Sequence, residues 1–98
     1  MLRIHTEELP GTGAVTLRLE GKLIQPWGDE LVRTWIDLLE RRPPVRPIRI
    51  DLDAVSFIDA YGKGVLAALQ HRGCELCGSG LFIASIINSL QTNDLEPS

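Results

Sequence analysis

The stretch IRIDLDAVSFIDAYGKGVLAAL, residues Ile48 to Leu69, decides the fold of this 98-residue chain. Ile48, Ile50 and Leu52 alternate with Arg49 and Asp51, the period-two pattern of a half-buried strand. Val55-Ser56-Phe57-Ile58 is a second apolar run, too close behind the first to be another full strand. The stretch therefore reads as a strand, a short turn and the start of a helix. From Val65 the apolar residues fall at helical spacing. With Asp59 as N-cap, Ala60, Tyr61 and Gly62 form the first turn, and their backbone N–H groups have no partner inside the helix. A helix N-terminus at the end of a strand is where α/β proteins tend to bind ligands or partners.

Upstream, Leu2 and Ile4 alternate with Arg3 and His5, which predicts a short strand to Glu7. Pro10-Gly11-Thr12-Gly13 is turn chemistry. Val15, Leu17 and Leu19 alternate with Thr16, Arg18 and Glu20 up to Leu23, so the first two strands form an antiparallel hairpin. Pro26-Trp27-Gly28 ends that pattern. A helix is expected over about Asp29 to Arg41, with Leu31, Trp35, Leu38 and Leu39 on one face and Val32 and Ile36 beside them. Pro43-Pro44-Val45-Arg46-Pro47 ends it.

Downstream, Arg72-Gly73 is a helix stop and Cys74 to Cys77 a short strand. Gly78-Ser79-Gly80 is a turn with Ser79 as the expected cap. The last helix runs to about Leu90, with Ile83, Ile86, Ile87 and Leu90 as its buried stripe. The fold class is α/β, one domain over residues 1–91 in the order β-β-α-β-α-β-α, with a flexible tail over 92–98. Strands separated by a helix should be parallel. Every strand alternates, whereas a sheet covered on both faces shows continuous apolar runs. A mixed four-stranded sheet with helices mainly on one face follows. The open face should carry Arg3, His5, Thr16, Arg18, Arg49, Asp51 and Glu75.

Composition narrows the function. Hydrophobic residues make up 44% of the chain, charged ones 23%, and net charge is −3 without a basic block. That argues for a globular domain and against a nucleic-acid surface. No apolar run reaches membrane-span length and no signal-peptide core is evident, so the expected location is the cytoplasm, without direct membrane insertion.

The run Asp51 to Leu66, DLDAVSFIDAYGKGVL, resembles the signature of STAS domains, the family of bacterial anti-sigma factor antagonists. Its pattern is a strand ending Asp-Leu, then Val-x-Phe-hydrophobic-Asp-Ser-Ser-Gly-hydrophobic-Gly, opening a helix. The resemblance extends to Leu17–Leu23 upstream and to Arg72–Leu76 downstream, and so covers nearly the whole chain. It implies a single STAS-like domain acting as a non-catalytic regulatory module. In antagonist members the second Ser of the motif is phosphorylated by a partner kinase that is also the anti-sigma factor. A phosphate adds about −1.5 to −2 charges and disrupts an interface built without it.

This chain departs at three points. The two Ser positions are Ala60 and Tyr61, so Tyr61 stands at the phospho-acceptor-equivalent position without a Ser or Thr hydroxyl. Lys63 stands where the family usually has an apolar residue. The chain also stops soon after Leu90, where many members continue into another strand and helix. The resemblance implies partner binding through Asp59, Ala60, Tyr61, Gly62, Lys63 and Gly64. The partner is an anti-sigma factor kinase or, in the alternative reading, a transport ATPase served by a STAS accessory subunit.

Other readings of single residues carry less. Asp59 as a phosphoryl acceptor would need an acidic pair after the first strand, and His5-Thr6-Glu7 is a poor match; a structural N-cap is the simpler reading. Tyr61 is either an exposed interface aromatic or a ring packed on a neighbouring loop. Gly62-Lys63-Gly64 lacks P-loop spacing. Cys74 and Cys77 match a CxxC string, but on a strand they point to opposite faces, and a zinc site would need two more ligands, for which only His5 and His71 are obvious. Trp27 reads as a loop anchor, Trp35 as core, and His71 as a helix-end cation. No catalytic triad or carboxylate pair assembles, so no enzyme, cofactor or metal is expected.

Overall fold

A computed structural model describes residues 2–41 and 47–95. Strands β1 (Leu2–Glu8) and β2 (Val15–Leu23) form the hairpin, and helix α1 (Gly28–Leu39) follows. Then come β3 (Ile48–Ile58), α2 (Ala60–His71), β4 (Glu75–Cys77) and α3 (Leu81–Leu95). One four-stranded sheet has the spatial order β1-β2-β3-β4. β1 is antiparallel to β2, while β2–β3 and β3–β4 are parallel. The expected fold class and element order are therefore found. The break expected over Pro43–Pro47 lies, apart from Pro47, outside the described residues.

The sheet is covered on one face, and the alternation along each strand is the cause. Val15, Leu17, Leu19, Leu23, Ile48, Ile50 and Leu52 are buried. They meet Leu31 and Leu38 of α1, Val65, Leu66 and Leu69 of α2, and Ile83, Ile86 and Leu90 of α3 in one apolar cluster. The other face carries the expected polar residues, all exposed or half-buried. Cross-strand charges meet there: Arg49 lies 3.2 Å from Glu75 and Arg18 lies 3.9 Å from Glu7. Such exposed pairs add little stability.

Three expectations need correcting. The second apolar run belongs to the strand, and the turn is confined to Asp59: β3 is one strand of 11 residues. Its pairing with β2 shifts twice, between Arg18 and Glu20 and between Gly21 and Lys22, each time by one extra residue on β3. These β-bulges change the inward period from two to three, so Leu52, Val55 and Ile58 face the core in turn. Ser79 does not cap α3. Its backbone N–H and hydroxyl both donate to one oxygen of Asp53, at 2.6 and 3.2 Å, and Gly80 offers its carbonyl to Ala84 instead. Finally, α3 continues to Leu95, past the expected end near Leu90 and into the segment expected as a tail. Residues 96–98 of that tail lie outside the described residues.

The stop after α2 follows local rules. Gly73 has φ +102°, its N–H donates to Gln70, and the Cys74 N–H donates to Leu69. This is a Schellman ending, which favours glycine because the left-handed backbone crowds any Cβ.

Candidate functional site

Asp59 sits between the end of β3 and the start of α2. Its extended backbone, φ −86° and ψ −179°, turns the chain from strand to helix. One carboxylate oxygen accepts the Gly62 N–H at 2.7 Å, the side-chain cap expected from sequence. The other accepts the Gln25 N–H at 3.0 Å. The Asp59 N–H itself donates to the Leu23 carbonyl at 3.2 Å. One residue thus ties the β2–α1 connection to the β3–α2 connection.

These donors act on the charged carboxylate. The Gln25 N–H first, then the Gly62 N–H, hold the Asp59 carboxyl below its ordinary value. A lowered native value means that the contribution of this carboxylate to stability is complete above the ordinary aspartate pKa. It is lost as pH falls through the lowered one.

Gly62 lets α2 approach the sheet. A Cβ there would lie 2.3 Å from the Leu23 carbonyl oxygen, a backbone atom that cannot move aside. Gly64 has open space around it. Of the two glycines, only Gly62 is required by the packing.

Tyr61 reaches sideways to α1. Its ring packs on Gly28, where a Cβ would come within 2.9 Å of it, and its hydroxyl donates to the Asp29 carboxylate. That hydrogen bond, then burial, then the Asp29 charge push the phenol above its ordinary pKa. Tyr61 is still 38% exposed, and its packing partner is the start of α1 and not a loop.

The six residues singled out from sequence divide into two sets. Asp59 and Gly62 lie inside the turn and shape it, whereas Ala60, Tyr61, Lys63 and Gly64 are exposed. Sequence reasoning missed Phe57, which is 51% exposed at the same end of β3. The bulged register turns it outward, and the available signal was the inward spacing Leu52, Val55, Ile58. It also missed Gln25 and Asp29, which contact the motif only through tertiary structure.

The turn holds a capped helix start, an anchored phenol, one ammonium and exposed apolar groups. Among the described residues no group of His, Cys, Asp and Glu could hold a metal ion. The thiols of Cys74, buried, and Cys77, half-buried, are both unpaired. Burial pushes both above their ordinary pKa, which disfavours the reactive thiolate. A hollow of about 540 Å³ lies at the opposite end of β3, lined by Trp35, Leu39, Ile48, Arg72 and Cys74 among others. Arg72 stands over the Trp35 ring there, 6.0 Å from its centroid.

A one-sided mixed sheet in this order, with an Asp-capped helix after its long parallel strand, defines a STAS-like domain of the anti-sigma factor antagonist fold. An anti-sigma factor antagonist from Mycobacterium paratuberculosis superposes with a TM-score of 0.77 at 18% identity, over 99% of this chain and 84% of that one. The antagonist SpoIIAA in its unphosphorylated form gives 0.64 at 20% identity, over 88% and 82%. A DUF3478-family protein with a SpoIIAA-like fold from Shewanella loihica PV-4 gives 0.55 at 13% identity, over 83% and 70%. At these identities the likeness establishes the fold. No family model matches the sequence, and no curated protein matches it.

Proposed function

We propose that the chain is a non-catalytic regulatory module that binds a protein partner through the turn at the start of α2, as an anti-sigma factor antagonist does. The observation that carries this reading is the build of the turn. Asp59 and Gly62 hold it rigidly from inside, while Ala60, Tyr61, Lys63 and Gly64 face outward with Phe57 nearby in sequence. A prearranged patch with aromatic groups binds at low ordering cost. The partner is an anti-sigma factor of the kinase type, met in the cytoplasm. Tyr61 takes the position of the modified serine, and its hydroxyl is held by Asp29. Binding here is not switched by serine phosphorylation.

The test is binding of the purified chain to kinase-type anti-sigma factors, with Ala60→Arg and Lys63→Glu as probes. Both positions are exposed helix-surface sites, so the fold is kept. Each probe should weaken binding about tenfold or more. Binding unchanged by both, or capture by a transport ATPase subunit instead, overturns the assignment. Incubation with the kinase and ATP should leave the turn unmodified; phosphate on Ser56 or Tyr61 overturns the loss of the switch.

A further inference from the structure

The sheet has two edges of unequal character. β4 is a three-residue edge, too short to template another strand. β1 is a seven-residue edge in unbroken register with β2 from Leu2–Gly21 to Glu8–Val15. It contains no proline, lysine or bulge; its charges are Arg3, Glu7 and Glu8, and Arg41 lies 2.7 Å from Glu8 at its end.

The direction of its free groups follows from the hairpin. The Leu9 N–H donates to the Ala14 carbonyl at 3.0 Å, one step beyond the Glu8–Val15 pair in the same register. Antiparallel pairs alternate, so Arg3, His5 and Glu7 turn their backbone groups to β2. Leu2, Ile4, Thr6 and Glu8 turn theirs outward. Among the described residues no strand pairs with this edge, and it carries its own complement. In an antiparallel pairing with a second β1, centred on His5, Ile4 faces Thr6 of the second copy and the outward groups of both strands meet. Arg3 then faces Glu7 of the second copy, and Glu7 faces its Arg3. These are non-hydrogen-bonded positions, where cross-strand side chains stand closest. A register centred on Ile4 sets Arg3 against His5, and one centred on Thr6 uses fewer strand residues. Glu20 of each copy stands 3.5 Å from its own His5, beside the central pair.

We propose that β1 is a self-association edge: two copies of this chain pair through antiparallel β1 strands centred on His5, joining their sheets into one of eight strands. Opposite charges at Arg3 and Glu7 select the register. The turn at the start of α2 belongs to other elements and takes no part in the contact.

Sedimentation equilibrium of the chain, with any tag placed at its C-terminus, tests this. The average mass should rise from monomer toward twice that mass between micromolar and millimolar concentrations. Thr6→Pro removes an outward N–H and no bond to β2, so it should stay folded by circular dichroism and stay monomeric. Arg3→Glu and Glu7→Arg each set like charges against each other across the edge, and each alone should associate about tenfold or more weakly than the parent. An equimolar mixture of the two restores both opposite-charge pairs and should form a heterodimer at least as readily as the parent pairs. Any charge clash within one chain is the same alone and in the mixture. A monomer at every concentration, association of Thr6→Pro like that of the parent, or no gain on mixing overturns the proposal.

Discussion

Tyr61 is the chain's single tyrosine, so its ionisation can be read directly from phenolate absorbance. Its hydroxyl donates to Asp29, and only the neutral phenol can do so. The native pKa is therefore raised, and the stabilisation is present below the ordinary tyrosine value, about 10, and lost as pH rises through the native one. A titration should place the midpoint above the ordinary value, and Asp29→Ala should return it toward that value. An unshifted midpoint in the parent would mean that the contact does not persist in solution. The two glycines beside it should separate just as cleanly. Gly62→Ala forces a methyl group against the Leu23 carbonyl and should cost about 1–3 kcal/mol in urea denaturation. Gly64→Ala meets open space in a helix and should be neutral or stabilising by up to about 1 kcal/mol. Equal effects of the two would contradict the close approach of α2 to β2.

At the scale of elements, legibility depended on whether a local rule acted alone. β1, β2 and the first half of β3 obey simple alternation, and their faces could be read from sequence. The second half of β3 could not. Its bulges are set by pairing with Gly21 and Lys22, which no window around Val55 contains. The stop of α2 at Gly73 was legible because the Schellman ending lies within a few residues. The start of α3 was not: Ser79 is a good cap by propensity, but Asp53 on the neighbouring strand claims its N–H and hydroxyl. The Asp59 cap was legible in half. Its bond to Gly62 is local, while its bond to Gln25 crosses from one connection to another.

For the whole molecule, the one-sided sheet was the most informative consequence of the pattern. Its open face is built of exposed or half-buried polar groups, and no buried polar residue occurs among the described residues. Cohesion comes from the apolar layer between sheet and helices, where Leu17, Leu52 and Leu66 are fully enclosed. The motif was visible because it is contiguous. The residues that brace it, Leu23, Gln25 and Asp29, were not, because they come from the other side of the sequence gap that α1 and β3 span. Among the described residues no helix is long and apolar enough to cross a membrane.

The two extra residues of β3 also fix how the gene can vary in length. Both lie on β3 alone, so taking one away removes a bulge and leaves the later pairs with β2 in place. Deleting Ala54 should keep Val55 and Ile58 facing the core. Deleting Ala54 and Ser56 together should still leave Ile58 opposite Leu23 and Asp59 beside the Gln25 N–H. Both proteins should fold by circular dichroism and protect the first turn of α2 from amide exchange as the parent does. β2 has no spare residue, so deleting Arg18 should turn one side of that strand to the wrong face and unfold the chain. Were the Ala54 deletion as damaging as the Arg18 deletion, the bulges would not be the spare residues of the register. Length changes are therefore expected to be absorbed in the second half of β3, a latitude that residue-by-residue substitution cannot reveal.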